Sequence, residues 1–324
     1  MRYLMYGAGG VGGVIGARLH LAGYDVGLVA RGPHLKAIRR DGLRLESPDG
    51  SVTVRLPAGQ SAGDVAAGED TCVLLSVKGQ DTAGALRDLS EAIDRGSTVA
   101  CVQNGVANER AALRQFDHVL GVCVMLPATH LEPGVVIAGS APVPGMLDVG
   151  CYPAGADARA ELLAEALRVA GFDSVVRPDV MAWKHRKLLK NLGNAVQAIC
   201  ASGEDRSRLS GVVLEEGERV LAAAGVEVVS EAQDNDRRGN ILSPGAIGGR
   251  GGGSTWQSLA RGQGSVESDY LNGEISLLGR LHGVPTPAND LVRRVAWEVA
   301  RAKGRPGTRD AGELLELVGL SSRR

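Results

Sequence analysis

The sequence predicts an α/β Rossmann-type N-terminal domain with a mostly parallel sheet, followed by an all-α C-terminal domain. Three observations predict it. Short apolar runs alternate with amphipathic stretches through the first half. The periodicity becomes almost wholly helical after Arg177-Pro178. A glycine pattern, YGAGGVGG, stands between the first apolar run and the first helical stretch. Strands that alternate with helices form a parallel sheet covered on both faces, so the strands themselves read as short apolar runs.

The strand-like runs are RYLMYG (2–7), DVGLVAR (25–31), TCVLLSV (71–77), TVACVQ (98–103) and HVLGVCVML (118–126). Helical stretches lie at 13–22, 81–93 and 107–116. LRLESPDGSVTVRLP (43–57) has the form of a hairpin on a Pro-Asp-Gly turn. GVVIAG and MLDVGCY add further strands ahead of a helix at 156–171. From Val180 the expected helices are 180–201, 207–224, 266–282, 287–303 and 310–318. The domain boundary is therefore expected near 178, dividing the chain into 1–178 and 179–324. The glycine-rich, aperiodic segment 237–256 reads as a linker or mobile loop, or as a loop beside a ligand.

A chain of 324 residues can bury two sizeable cores. A formal net charge of −1 gives no reason to expect a nucleic-acid partner. The five cysteines are scattered and lack CxxC spacing, which suits buried free thiols in a reducing compartment. The six histidines show no metal-ligand spacing, so no metal is expected. No apolar run approaches the ~20 residues of a membrane span, and the N-terminal MRYLMYGAGG carries no signal-peptide cleavage pattern. The expectation is a soluble cytoplasmic protein.

Gly7, Gly9 and Gly12 follow the G-x-G-x-x-G pattern, with a strand running in and a helix running out. Gly7 would make the tight turn, Gly9 would let a pyrophosphate approach the backbone, and Gly12 would let helix and strand pack closely. With Ala8, Gly10 and Val11 they form the candidate cofactor cradle, where helix N-terminal amides favour phosphate. A simple strand-to-helix turn is the bland alternative. At the end of the second strand, LVARGPH offers Arg31 where an NAD-selective fold carries an acid. A guanidinium can bind a 2′-phosphate that a carboxylate would repel, which favours NADP(H). Otherwise Arg31 is an ordinary solvated charge.

WKHRKLLKNLGN (183–194) poses a separate problem. At about 100° per residue, Asn191 and Asn194 fall roughly 40° and −20° from Lys187, one polar stripe. Leu188, Leu192, Ala195 and Ile199 form an apolar stripe beside it, and Arg186 and Lys190 lie on the other side. The polar stripe thus sits on a margin where a helix can line a cleft. Lys184 is the nearest rival cation, and all three lysines as solvated surface charges is the bland alternative. Trp183 and Trp256 read as packing residues.

These pieces together resemble the ketopantoate reductase (2-dehydropantoate 2-reductase) family. The resemblance runs from YGAGGVGG through SVKGQDT (76–82), VQNGV (102–106) and WKHRKLLKNLGN to STWQSLARGQGSVESDYLNGEI (254–275). It implies a Rossmann domain and a helical domain with the active site between them, and reduction of ketopantoate to (R)-pantoate by NADPH. It implies that Lys187 donates the proton to the ketone oxygen and that Asn191 binds substrate. Asn104 would lie near nicotinamide and substrate, and Lys78 would be a further cofactor-site lysine. Ser254 would hold the substrate carboxylate, and Glu267 would pair with the substrate hydroxyl and the lysine. Members often carry a second helix asparagine eight residues after the lysine. Here position 195 is alanine and Asn194 comes at seven, so Asn194 is the candidate replacement. The stretch from Ser254 to Glu267 is one residue longer than the commonest form.

The residues fit those roles chemically. Hydride addition builds negative charge on the ketone oxygen, which a cation with a proton to give stabilises twice over. Partial desolvation would lower the Lys187 pKa towards working pH. Glu267 is expected in the first turn of a helix begun at Ser265, where the helix dipole keeps a carboxylate ionised. The expected partner is a small-molecule 2-oxoacid, with a homodimer as the candidate assembly. A reductase of another branched or hydroxylated 2-oxoacid and a non-catalytic NADP(H)-binding sensor are the alternatives.

Overall fold

The first strand shows why the apolar runs of this chain are continuous. In the computed structural model, which describes residues 1–65, 68, 70–242, 252–262 and 264–320, β1 (Arg2–Tyr6) sends Tyr3 and Met5 into one core and Leu4 and Tyr6 into another. Successive strand residues point to opposite faces, so a strand buried on both is apolar throughout.

α1 (Gly10–Leu21), β2 (Asp25–Val29) and α2 (Gly32–Asp41) follow, then the hairpin β3 (Leu43–Ser47) and β4 (Gly50–Val54) and the short β5 (Ala58–Gly59). β6 (Thr71–Leu75), α3 (Thr82–Ala92), β7 (Thr98–Cys101), α4 (Asn108–Leu113) and β8 (His118–Met125) continue the alternation. β9 (Ala128–Thr129), β10 (Val135–Ala138), β11 (Met146–Cys151) and α5 (Ala158–Val169) complete the α/β part.

Seven strands form one sheet in the order β11-β8-β7-β6-β1-β2-β5, parallel except where β11 runs against β8. The order reverses at β1, between β2 and β6. Loops at the carboxyl ends of strands diverge at such a reversal, and open α/β sheets take their ligands there. Tyr6, the last residue of β1, pairs with Val29 and Leu75, so the turns after all three strands are neighbours. A second sheet, β4-β3-β10-β9, packs on α1, where a side chain at Gly13 would meet Val136 Cγ1 at 2.7 Å.

The helical part comprises α6 (Val180–Ile199), α7 (Glu204–Ala223), α8 (Glu231–Arg238), α9 (Ser254–Ala260), α10 (Asn272–His282), α11 (Pro287–Arg301) and α12 (Ala311–Leu317). By packing, the chain divides into Met1–Lys184 with Glu231–Gly249, and His185–Ser230 with Arg250–Arg324. Within the second unit α7 lies close on α6 because Gly217 lacks a side chain; a Cβ there would sit 2.7 Å from Leu192 Cδ1. Glu216, buried on α7, accepts the Ala288 and Asn289 amides at 2.9 Å each and so caps α11.

Three helices lie outside the expected elements. α2 opens on the exposed Gly32-Pro33 after Arg31, with proline in the first turn, where its missing N–H costs nothing. α8 (EAQDNDRR) has only Asp234 buried, so it carries no apolar period to detect. Charge docks it instead: Arg237 bonds the buried Asp148 at 2.6 and 2.9 Å and also binds Asp173 at 2.5 Å. α9 begins inside the aperiodic segment 237–256 and runs past it, and residues 243–251 of that segment are outside the described residues. The helix expected from 266 begins only at Asn272, after a 3-10 turn at Glu267–Tyr270.

Candidate active site

The glycine turn joins β1 to α1. Gly7 has φ +111°, and a Cβ there would lie 2.9 Å from the Val77 amide nitrogen. A Cβ on Gly12 would overlap the Gly7 carbonyl oxygen and Ser76 Oγ. At Gly9 nothing lies within 4 Å of the Cβ position, leaving the backbone open to approach. Ser76 Oγ donates to the Gly7 carbonyl at 2.8 Å, and the Gly7 and Ala8 amides donate to Val29 O at 3.1 and 3.0 Å. Gly9 occupies the N-cap of α1, and Gly10, Val11 and Gly12 make its first turn, which holds no acidic residue. The first amides of a helix have no intrahelical acceptor, so this end favours an anion.

Arg31 is exposed at the N-cap of α2, just beyond β2. Its guanidinium lies beside the Tyr6 hydroxyl, which donates to Asp88 at 2.7 Å. Burial, then the Asp88 carboxylate, push the Tyr6 pKa up to about 12, while Arg31 acts in the opposite sense. Lys78, half-buried, caps the 3-10 turn Gly79–Asp81 after β6. Asn104, also half-buried, follows β7, ahead of Gly105 with φ +79°. The two loops are tied together by Gln103, whose amide donates to Val77 O at 2.8 Å and Thr82 Oγ1 at 2.9 Å. Thr82 donates in turn to Asn108, and Asn108 to Asn104 O at 3.1 Å.

Lys184 is not a surface charge. Its side chain is 2% exposed and pairs with the fully buried Glu109 at 2.6 Å. Nζ also donates to Gln103 O at 2.9 Å and Val122 O at 3.2 Å. The buried ammonium thus joins the loop that carries Asn104 to β8, with the Glu109 carboxylate of α4 as its counter-charge.

Lys187, Asn191 and Asn194 are all half-buried on α6. Leu188, Leu192, Ala195 and Ile199 are at most 1% exposed, and Lys190 is exposed. The polar stripe therefore does lie on the margin between the buried and open faces. Arg186 is half-buried rather than solvated, donating to Val229 O at 2.7 Å. Asn194 Nδ2 donates to Asn191 Oδ1 at 3.3 Å. The Gly253 amide donates to Gln197 Oε1 at 2.9 Å, and a Cβ on Gly253 would lie 2.9 Å from Asn194 Oδ1. Ser254, half-buried, is thus the first residue of a helix set against this stripe rather than part of a loop. Beside Gly252, a cavity of about 340 Å³ is lined by Gln197, Cys200, Arg206 and Trp256. Trp183 is buried under Arg177, whose guanidinium lies 4.2 Å from the ring centre.

Glu267 does not sit in the first turn of an α-helix. Val266 before it is extended, and Glu267 opens the four-residue 3-10 turn that ends ahead of α10. The field of a long helix therefore does not act on its carboxylate. The segment is held to α6 by Asn272, whose amide donates to Leu192 O at 3.1 Å. Among the described residues no group of three His, Cys, Asp or Glu side chains could hold a metal ion, and no helix is long and apolar enough to cross a membrane.

Two family models cover most of the chain: ketopantoate reductase PanE/ApbA over residues 3–153, and the C-terminal ketopantoate reductase PanE/ApbA model over 179–300. The chain is 31% identical over 315 residues to 2-dehydropantoate 2-reductase of Halobacterium salinarum, covering 90% of this chain and 98% of that protein. The chain belongs to the ketopantoate reductase PanE/ApbA family. Among solved structures, a PanE/ApbA family ketopantoate reductase from Ralstonia eutropha superposes with a TM-score of 0.79 at 28% identity, covering 94% of this chain and 99% of that one. D-mandelate dehydrogenase, solved with NADH and anilino(oxo)acetate, shares the fold with a TM-score of 0.80 at 23% identity, covering 94% and 99%.

PanE/ApbA proteins are oxidoreductases that act on CH–OH groups with a nicotinamide cofactor. The glycine turn of this member fits a dinucleotide: side chains are excluded at Gly7 and Gly12 by backbone contact, and the space at Gly9 is open. Reading the sequence did not single out Ser76, Gln103, Glu109 or His34. SVKG and VQNG were visible as motifs, but the partner of each buried polar group lies tens of residues away and leaves no local pattern.

Proposed function

We propose that this PanE/ApbA family protein uses NADPH to reduce the ketone of a 2-oxoacid, with 2-dehydropantoate as the first candidate and (R)-pantoate as product. The observation that carries the reading is the half-buried stripe of Lys187, Asn191 and Asn194 on α6, with the Ser254 turn set against it. Lys184 strengthens the assignment by elimination, because it is buried and bound to the Glu109 carboxylate and two backbone carbonyls.

The reduced nicotinamide supplies the hydride. Lys187 holds the proton at Nζ, stabilises the developing charge on the ketone oxygen and delivers the proton to it. Asn191 and Asn194, each with donors and an acceptor, orient the hydroxyl and carbonyl groups of a small acid. Ser254 donates to the substrate carboxylate, and Glu267 accepts from a substrate hydroxyl and pairs with Lys187. Gly7, Ala8, Gly9, Gly10, Val11 and Gly12 would hold the pyrophosphate of the bound cofactor, with Lys78 and Asn104 as further cofactor-site residues, and Arg31 would bind the 2′-phosphate. The setting is pantothenate and coenzyme A biosynthesis in the cytoplasm, a compartment that suits cysteines that form no disulfide.

A second reading, reduction of a different 2-oxoacid, is favoured by one feature. Ala195 is buried and offers no amide at the position eight residues after Lys187, so Asn194 does that work from one residue earlier on the helix. A panel of 2-oxoacids with NADPH, followed by the fall in NADPH absorbance, separates these readings. The fastest turnover with ketopantoate supports the first, and faster turnover with a bulkier acid supports the second. A flat trace with every acid would leave only a nucleotide-binding sensor.

A further inference from the structure

His34 takes no part in the chemistry above, yet it is 9% exposed and both ring nitrogens are engaged. The Gly134 amide donates to Nδ1 at 2.9 Å, and Nε2 lies 2.7 Å from the Ala8 carbonyl oxygen. An amide only donates and a carbonyl only accepts. Nδ1 therefore carries no proton, and Nε2 donates to Ala8. His34 stands in the first turn of α2, three residues after Arg31, and its ring packs on His130 with centroids 4.1 Å apart.

The consequence follows from peptide geometry. Ala8 C=O and Gly9 N–H belong to one planar trans unit and point in opposite directions. Fastening the Ala8 oxygen to His34 fixes the Gly9 amide on the opposite edge of the same peptide plane, at a residue whose Cβ position has no neighbour within 4 Å. Without that bond the unit could rotate, because glycine at position 9 tolerates either orientation. The same imidazole ties the turn to the helix that begins beside Arg31 and to the Gly134 turn, where φ is +82°.

We infer that His34 is a positioning residue for the cofactor: it locks the Ala8–Gly9 peptide so that the glycine-turn amide faces the pyrophosphate. This rests on the reading that the turn binds NADP(H). Two polar replacements separate the two bonds. In His34→Gln the amide nitrogen takes the place of Nε2 and keeps the bond to Ala8. In His34→Asn the amide oxygen takes the place of Nδ1, keeping the bond to Gly134 and losing Ala8. Each variant is titrated with NADPH by nucleotide fluorescence, and KM and kcat are measured with saturating 2-oxoacid.

His34→Asn should weaken NADPH roughly tenfold, on the scale of one lost buried hydrogen bond, with kcat at saturating NADPH changed less than about twofold on the same scale. His34→Gln should stay within about threefold of the unaltered protein. A His34→Asn variant that binds NADPH as tightly as the unaltered protein overturns the inference. So does a His34→Gln variant that is as weak as His34→Asn, or a loss of melting temperature in His34→Asn with no change in affinity. Failure of the unaltered protein to bind NADPH would instead remove the cofactor assignment itself, a separate result.

Discussion

The glycine turn and the α6 stripe use opposite means to make a site. The turn works by absence: side chains are excluded at Gly7 and Gly12, which leaves the backbone itself as the proposed binding surface. The stripe works by presence, setting an ammonium and two amides on a helix whose other positions are packed. A backbone surface is tied to short, fixed glycine spacings. A side-chain surface depends on which face of the helix is covered, and that is decided by partners far along the chain. Lys184 and Lys187 show the difference within one helix. Three residues apart, one is locked to Glu109 and two carbonyls, and the other stands half-buried beside Asn191 and Asn194.

The sharpest way to break this contrast is at Lys187. Lys187→Ala should lower kcat/KM by about 10²–10⁴, the usual contribution of a positioned proton donor, while the melting temperature stays close to that of the unaltered protein. Steady-state kinetics and thermal unfolding of one preparation decide it. Lys184→Met should do the reverse. Removing one partner of a buried ion pair costs about 3–5 kcal/mol, because the other charge is left uncompensated. Urea unfolding should show that loss, and Lys184→Met with Glu109→Leu should recover most of it. A double variant as unstable as the single one would mean that the carbonyl bonds, not the charge pair, hold the loop.

Next in size is a pH effect at His34. Burial, and then the neighbouring His130, lower its pKa to about 4, against about 6.5 for an unconstrained histidine. The unfolded chain therefore binds this proton more readily than the folded one. Stability contributed by neutral His34 is complete above about pH 6.5, falls as the pH drops towards 4, and is fully lost below that. Melting curves of the unaltered protein and His34→Gln should converge over this window. Parallel curves would show that His34 is not the group titrating. The smallest effect is expected at Asn194: replacement by Ala should cost roughly 3–10-fold in kcat/KM, the worth of one hydrogen bond.

The fold class was legible because β1, β2, β6, β7 and β8 are buried on both faces and so read as unbroken apolar runs. α8 was not legible, because Arg237 and its aspartates dock it rather than an apolar stripe. The placement of Glu267 was misread for a related reason. Leu271 and Ile275 keep the helical period, but the α-helix starts only at Asn272. On α6 the angular spacing of Lys187, Asn191 and Asn194 was readable. The fate of Lys184 was not, since Glu109 lies 75 positions earlier and has nothing periodic about it.

The division of labour between turn and stripe is tested most directly by the affinity of Lys187→Ala for NADPH. Titration followed by nucleotide fluorescence should give a dissociation constant within about twofold of the unaltered protein, as expected if the glycine turn and its neighbours hold the cofactor as proposed. Loss of NADPH binding together with turnover would contradict the account, placing Lys187 in the cofactor site rather than at the ketone.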